Sequence, residues 1–213
     1  MPNVKICGNT NADDARRAAE LGADYLGLIF AESKRRVTIE QARAIIQAMP
    51  DFKKFVAVFA NQAKKDVEKI VEELGIRILQ FHGDETSLYC HSFMEKGCEV
   101  IKSFRIKDAM SLKRIDEYNV SAFLFDTYSH EEKGGGGVPF DWELIEDRPY
   151  VHEKLFVAGG LNVKNLRNAI QTIRPFAVDV ASGVEKSPGK KDPQLLEEFI
   201  RIAKEGERAW VRK

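Results

Sequence analysis

The sequence predicts an α/β protein built as a single-domain (β/α)8 barrel, the TIM-barrel architecture, and three observations carry the prediction. Eight short apolar runs that read as strands begin near Val4, Tyr25, Phe55, Arg77, Val100, Ala122, Leu155 and Ala177. Amphipathic, helix-like segments separate them, and a strict alternation of strand and helix is satisfied by a parallel sheet with crossover helices. The chain has 213 residues, against roughly 250 for a typical barrel, which leaves room for eight minimal units in residues 1–213 and for no added domain. A barrel of this kind carries its chemistry at the carboxyl ends of its strands, so the residues that end each run are the candidates for function.

The first strand ends in Lys5-Ile-Cys7-Gly8. Strand starts recur every 21 to 23 residues except after the second and sixth, where the intervals are 30 and 33. The surplus falls at residues 31–36 and 127–142, both in loops that follow strands and so on the active face. Thr38-Ile-Glu-Gln41 is a capping box, in which hydroxyl and amide satisfy each other's backbone N–H, and Ile39, Ala42, Ile45, Ile46 and Met49 then form one apolar stripe. Phe55-Val-Ala-Val-Phe59 is a continuous apolar run, the form of a parallel strand covered on both faces. Val67, Ile70, Val71 and Leu74 repeat the helical stripe before Gly75.

The fourth strand closes with Leu79-Gln-Phe-His82-Gly83, and the sixth, Ala122-Phe-Leu-Phe-Asp126, is apolar until it reaches a carboxylate. Gly134-Gly-Gly-Gly137 reads as a loop of the barrel; a domain linker there would leave a C-terminal piece with only two strands, too little for a core of its own. Val163, Leu166, Ala169, Ile170 and Ile173 form the next stripe before Pro175. Asp192-Pro193 supplies an N-cap and first-turn proline for the last helix, and the residues after Lys204 read as its frayed end.

Composition excludes several function classes. Lys plus Arg and Asp plus Glu both number 33, so no global field draws nucleic acid or an anionic membrane, and the expected partner is a small molecule. Cys7, Cys90 and Cys98 give neither a disulfide framework nor metal-ligand spacing, which fits a reducing compartment. No basic leader and no apolar run of membrane-spanning length is present, and the expectation is a soluble, cytoplasmic protein.

Cys7 places a thiol at the barrel mouth. It reads either as an inert small hydrophobe or as a base or nucleophile whose pKa is tuned toward neutrality by helix N-termini and a phosphate site. Asp126 is a solvated strand-end acid or a general acid; on strands 1 and 6 of eight, it and Cys7 face each other across the mouth, the arrangement of an acid and a base on opposite sides of one small substrate. Ala158-Gly159-Gly160-Leu-Asn162 and Asp179-Val-Ala-Ser182-Gly183-Val-Glu185 follow strands 7 and 8, where this barrel frequently holds phosphate, with Gly135, Gly136 and Gly137 as further donors or a lid. Ser33-Lys-Arg35-Arg36 is a solvated charged loop or the source of a guanidinium for a substrate carboxylate. His82 alone reads more simply as a structural histidine, and no metal site is expected.

These motifs together, with Val4-Lys-Ile-Cys7-Gly8, Ser33-Lys-Arg35-Arg-Val37, Gln80-Phe-His82-Gly83, Phe125-Asp126-Thr127 and Phe140-Asp-Trp142 in order, resemble the phosphoribosylanthranilate isomerases of tryptophan biosynthesis over essentially the whole chain. The resemblance implies an Amadori rearrangement of an aminoaldose 5-phosphate to a 1-amino-1-deoxyketose 5-phosphate, without a cofactor, in a monomer or homodimer. It implies Asp126 as general acid, Cys7 as general base, and Gly159, Gly160, Ser182, Gly183 and the glycines at 135–137 as the phosphate cradle. Arg35, placed by alignment to Val37, pairs with the anthranilate carboxylate, and His82 and Asp179 line the site. Another sugar-phosphate isomerase or epimerase on the same barrel, and a catalytically silent phosphate-binding protein, are the competing readings.

Overall fold

The computed structural model describes residues 1–106, 114–126 and 153–205. Eight parallel strands close into a barrel in chain order: β1 (Asn3–Ile6), β2 (Tyr25–Ile29), β3 (Phe55–Phe59), β4 (Ile78–Phe81), β5 (Glu99–Arg105), β6 (Ala122–Asp126), β7 (Leu155–Ala158) and β8 (Ala177–Val180). Closure runs through β1 and β8, with Lys5 opposite Asp179 and Ile6 opposite Val180. Each strand starts within one residue of its expected position. The described helices are α1 (Ala12–Glu20), α2 (Ile39–Gln47), α3 (Lys64–Leu74), α4 (Ser87–Met94), α5 (Leu166–Ile173) and α6 (Pro193–Lys204).

The caps form as their chemistry requires. Thr38 and Gln41 make the reciprocal box at α2, Gly75 ends α3 in the left-handed region at φ 66°, and Asp192 accepts from the N–H groups of Gln194 and Leu195 at α6. One expected stripe is shortened: α5 begins at Leu166, leaving Val163 outside it, because Asn162 caps the preceding turn by accepting from the N–H of Lys164.

Two-residue periodicity divides the strands between two cores. Val4, Leu26, Leu28, Ala57, Phe59, Leu79, Phe81, Phe123, Phe125 and Val178 pack outward against the helices. Tyr25, Val56, Val58, Ile78, Ile101, Leu124 and Phe156 fill the barrel interior, and Cys7 and Ala158 belong to the same inner cluster nearer the mouth. A two-stranded antiparallel hairpin, β9 (Glu185–Ser187) and β10 (Lys190–Lys191), follows β8 and was not foreseen. The insertion at 127–142, with its glycines 135, 136 and 137, and the tail from 206 lie outside the described residues.

Candidate active site

The carboxyl ends of the strands surround a cavity of about 930 Å³, within the size range of small-ligand pockets. Cys7, Arg35, His82, Asp126, Gly159, Gly160, Asp179, Ser182 and Gly183 all line it. The sequence had spread these residues over six loops and strand ends, and barrel closure gathers them.

Cys7 follows β1 and is buried at 6 % exposure. Its N–H donates to the Val180 carbonyl on β8. The thiol fits because β2 carries Gly27 alongside: a Cβ there would stand 2.7 Å from Sγ. Lys5, two residues earlier and therefore on the same inner face, is fully buried and donates to Asp179 Oδ1 at 2.9 Å. Burial pushes the Cys7 thiol above its ordinary value, with Asp179 adding to the rise and Lys5 and Lys191 opposing it. That corrects the expectation of a thiol tuned toward neutrality: Lys5 and Lys191 favour the thiolate, but the loss of water at Cys7 outweighs them. Lys5 is also shifted upward, but by charge and not by burial. Burial would lower it, yet the Asp179 carboxylate and the Cys7 thiol together hold it above its usual range.

Across the mouth, Asp126 ends β6, and its Oδ2 lies 3.5 Å from His82 Nε2. Gln80, on the same inner face of β4, places its amide nitrogen 3.1 Å from His82 Nδ1 and 3.3 Å from Ser103 Oγ. With that nitrogen donating to Nδ1, the ring proton sits on Nε2, toward Asp126. His82 is therefore part of a chain running from Ser103 to the carboxylate, more than an isolated strand-end histidine.

The loop after β2 separates its two arginines. Arg36 bridges to Ile29 through its main chain and stays exposed, whereas Arg35 turns into the cavity. There Arg35 Nε and Nη2 grip the Glu185 carboxylate at 2.7–2.9 Å. Glu185 in turn accepts from Lys191 Nζ at 3.1 Å. Burial would raise the Glu185 carboxyl, but Arg35 and Lys191 hold it below the usual glutamate range.

Two loops, after β7 and β8, pack against each other at the mouth. Gly159 and Gly160 take φ of 92° and 67°, and Ser182–Val184 make one 3-10 turn after β8. The loops interlock at Gly183, where a Cβ would lie 1.9 Å from the Leu161 carbonyl oxygen. The Gly160 carbonyl accepts from the Asn162 and Asn165 side-chain amides, so its peptide is held by two asparagines that precede α5. Among the described residues, no group of three or more His, Cys, Asp or Glu is arranged to hold a metal ion, and no helix is long and apolar enough to cross a membrane.

Sequence reasoning missed Lys5, Gln80, Ser103, Glu185 and Lys191. The period of two would have revealed Lys5 and Gln80, which share a strand face with Cys7 and His82. Nothing local marks Lys191, which reaches the site through a hairpin.

Residues 4–202 match the family model for N-(5'phosphoribosyl)anthranilate (PRA) isomerase. The N-(5'-phosphoribosyl)anthranilate isomerase of Pelobacter propionicus is 42% identical over 206 residues, covering 96% of this chain and 97% of its own. A solved phosphoribosyl anthranilate isomerase in complex with reduced 1-(o-carboxyphenylamino)-1-deoxyribulose 5-phosphate is similar at TM-score 0.81 and 37% identity, over 96% of this chain and 99% of that one. A structure of mutually generated monomers of the dimeric enzyme from Thermotoga maritima matches at TM-score 0.82 and 36% identity, over 97% and 100%.

Proposed function

The chain belongs to the N-(5'-phosphoribosyl)anthranilate isomerase family and is an isomerase of tryptophan biosynthesis; from that premise we propose how its residues divide the reaction. Asp126 protonates the furanose ring oxygen of phosphoribosylanthranilate, the C1–O bond breaks, and the anthranilate nitrogen lone pair closes a Schiff base. The Cys7 thiolate then removes the C2 proton, and the C–H pair passes through the imine to nitrogen as an enolamine. Tautomerisation delivers the ketose, 1-(2-carboxyphenylamino)-1-deoxyribulose 5-phosphate. Every step is a proton transfer, so the scheme calls on no cofactor.

The observation that carries this assignment is the placement of Cys7 and Asp126 at the ends of β1 and β6 on one cavity that also holds the glycine loops after β7 and β8. In this reading Gly159, Gly160, Ser182 and Gly183 bind the 5-phosphate, with 135–137 contributing from outside the described residues. Arg35 anchors the anthranilate carboxylate, His82 orders Asp126, and Asp179 with Lys5 sets the field at Cys7. The chain acts as one barrel domain in the cytoplasm, as monomer or homodimer; the dimeric Thermotoga maritima relative favours the homodimer.

Turnover of freshly generated phosphoribosylanthranilate, followed by fluorescence, tests the assignment. Asp126→Asn and Cys7→Ser keep shape and fold, and each should lower kcat by about 10²- to 10⁴-fold, the range of general acid–base catalysis. Near-wild-type turnover in either folded variant removes that residue from the scheme.

A further inference from the structure

Lys191 sits on β10, in the hairpin that follows the loop after β8, yet its side chain is 1 % exposed, packed behind Cys7 and Ala181 of the cavity wall. Its three N–H groups are all used. Nζ donates to the Cys7 carbonyl at 2.6 Å, to the Ala181 carbonyl at 3.2 Å and to Glu185 Oε1 at 3.1 Å. Each acceptor belongs to a different working part. Cys7 is the proposed base; Ala181 immediately precedes Ser182 of the proposed phosphate cradle; Glu185 accepts three further bonds from Arg35.

Burying an ammonium costs several kcal/mol before its partners repay it, and an apolar side chain of similar volume is often no less stable. Stability alone therefore does not account for Lys191. Its geometry does something a methionine cannot: Cys7 is tied by its N–H to Val180 and by its carbonyl to Lys191, so both sides of the residue are fixed to β8 and the segment after it. The hairpin is itself clamped to the first turn of α1 and to the loop before it, since the Lys191 N–H donates to Asp14 Oδ2 and the Thr10 hydroxyl to the Gly189 carbonyl.

We propose that Lys191 is a positioning residue for the isomerisation: its ammonium joins the Cys7 main chain, the Ala181 corner of the phosphate cradle and, through Glu185, the Arg35 guanidinium into one fixed arrangement. The inference rests on the roles assigned above to Cys7, Arg35 and the cradle. The same cation acts on the thiol through space. The charged groups facing Cys7 are Lys5 on β1, Asp179 on β8, Arg35 from the loop after β2, and Lys191. Of these, Lys5 is matched by Asp179, and Arg35 by Glu185, which Lys191 shares. Removing Lys191 leaves Glu185 with Arg35 alone and withdraws a positive charge that favours the thiolate.

Lys191→Met and Lys191→Gln test this, with folding checked by circular dichroism. Two readouts are taken: kcat/KM with phosphoribosylanthranilate, and the pH profile of Cys7 alkylation by iodoacetamide, followed by peptide mass. The expected result in either variant is a fall in kcat/KM of about tenfold or more, the cost of a misplaced reacting group. The alkylation midpoint should also move upward by roughly one unit. Should the Met variant not fold, the polar Gln variant is read alone. Turnover within twofold of wild type overturns the proposal, and so does lost turnover with an unmoved alkylation profile, which would reduce Lys191 to packing. A fully active Cys7→Ser variant would overturn the acid–base reading itself, independently of either Lys191 result.

Discussion

Arg35 offers Glu185 the edge formed by Nε and Nη2, which leaves the Nη1–Nη2 edge of the fork for a second carboxylate. A guanidinium already held on one side loses little freedom when it binds on the other, so the Glu185 contact serves preorganisation. Arg35→Ala should therefore raise KM by about 10- to 100-fold, corresponding to the ~1.5–3 kcal/mol of a hydrogen bond to a charged group, with a smaller change in kcat. Arg36→Ala should leave both constants within twofold, because Arg36 is exposed and is not among the residues that line the cavity. Steady-state kinetics on both variants decide the matter, and the opposite ranking would move the anchor to Arg36. At the same scale, burial raises the proton affinity of Cys7, the proposed base. A thiolate formed there is correspondingly stronger as a base than one in water, and the cations around it determine how readily it forms.

The loops after β7 and β8 act as one element, because neither closes without the other. Gly183 lets the β8 turn press its Cα against the Leu161 carbonyl, and the Asn162 and Asn165 amides hold Gly160 from the α5 side. Gly183→Ala inserts a methyl where the nearest atom is backbone, which cannot swing aside, and overpacking of that kind costs ~1–3 kcal/mol. The loops should part, so calorimetric affinity for a product analogue carrying the 5-phosphate should fall by at least about tenfold while the far-ultraviolet spectrum is retained. Unchanged affinity would place the phosphate elsewhere. The capping box of Thr38 and Gln41 is an element-scale feature of the other kind: it secures α2 and touches no part of the site.

On the scale of the whole molecule, the site draws on β1, β4, β6, β7 and β8 and on the loop after β2, so a ligand seated there links strands that are remote in sequence. Any ligand that binds only the closed barrel stabilises it by mass action, by about 2.7 kcal/mol at a concentration 100 times its Kd. For a chain of this length that corresponds to a rise in Tm of about 5–10 °C. A non-reacting product analogue at that excess should produce the shift in wild-type protein. Scanning calorimetry that finds less than about 2 °C would mean that the ligand does not bridge the barrel.

The sequence by itself determined the eight-strand order, the caps of α2 and α6, and the placement of Cys7, His82, Asp126 and the two glycine loops at one face. These are local signals: apolar periodicity, cap chemistry and strand ends are written within a few residues of one another. Alignment to Val37 singled out Arg35 over Arg36, and Arg35 is the one of the two that lines the cavity. Tertiary structure alone decided the rest. Lys5 meets Asp179 across the seam between the first and last strands, 174 residues apart. Lys191 reaches Cys7 over a separation of 184, and Arg35 reaches Glu185 over 150. No window of sequence contains such pairs, and their energetics depend on the depth at which closure buries them. The upward shift of the Cys7 thiol belongs here too, because desolvation is a property of the assembled barrel, whereas residue types indicate only which charges are available to oppose it.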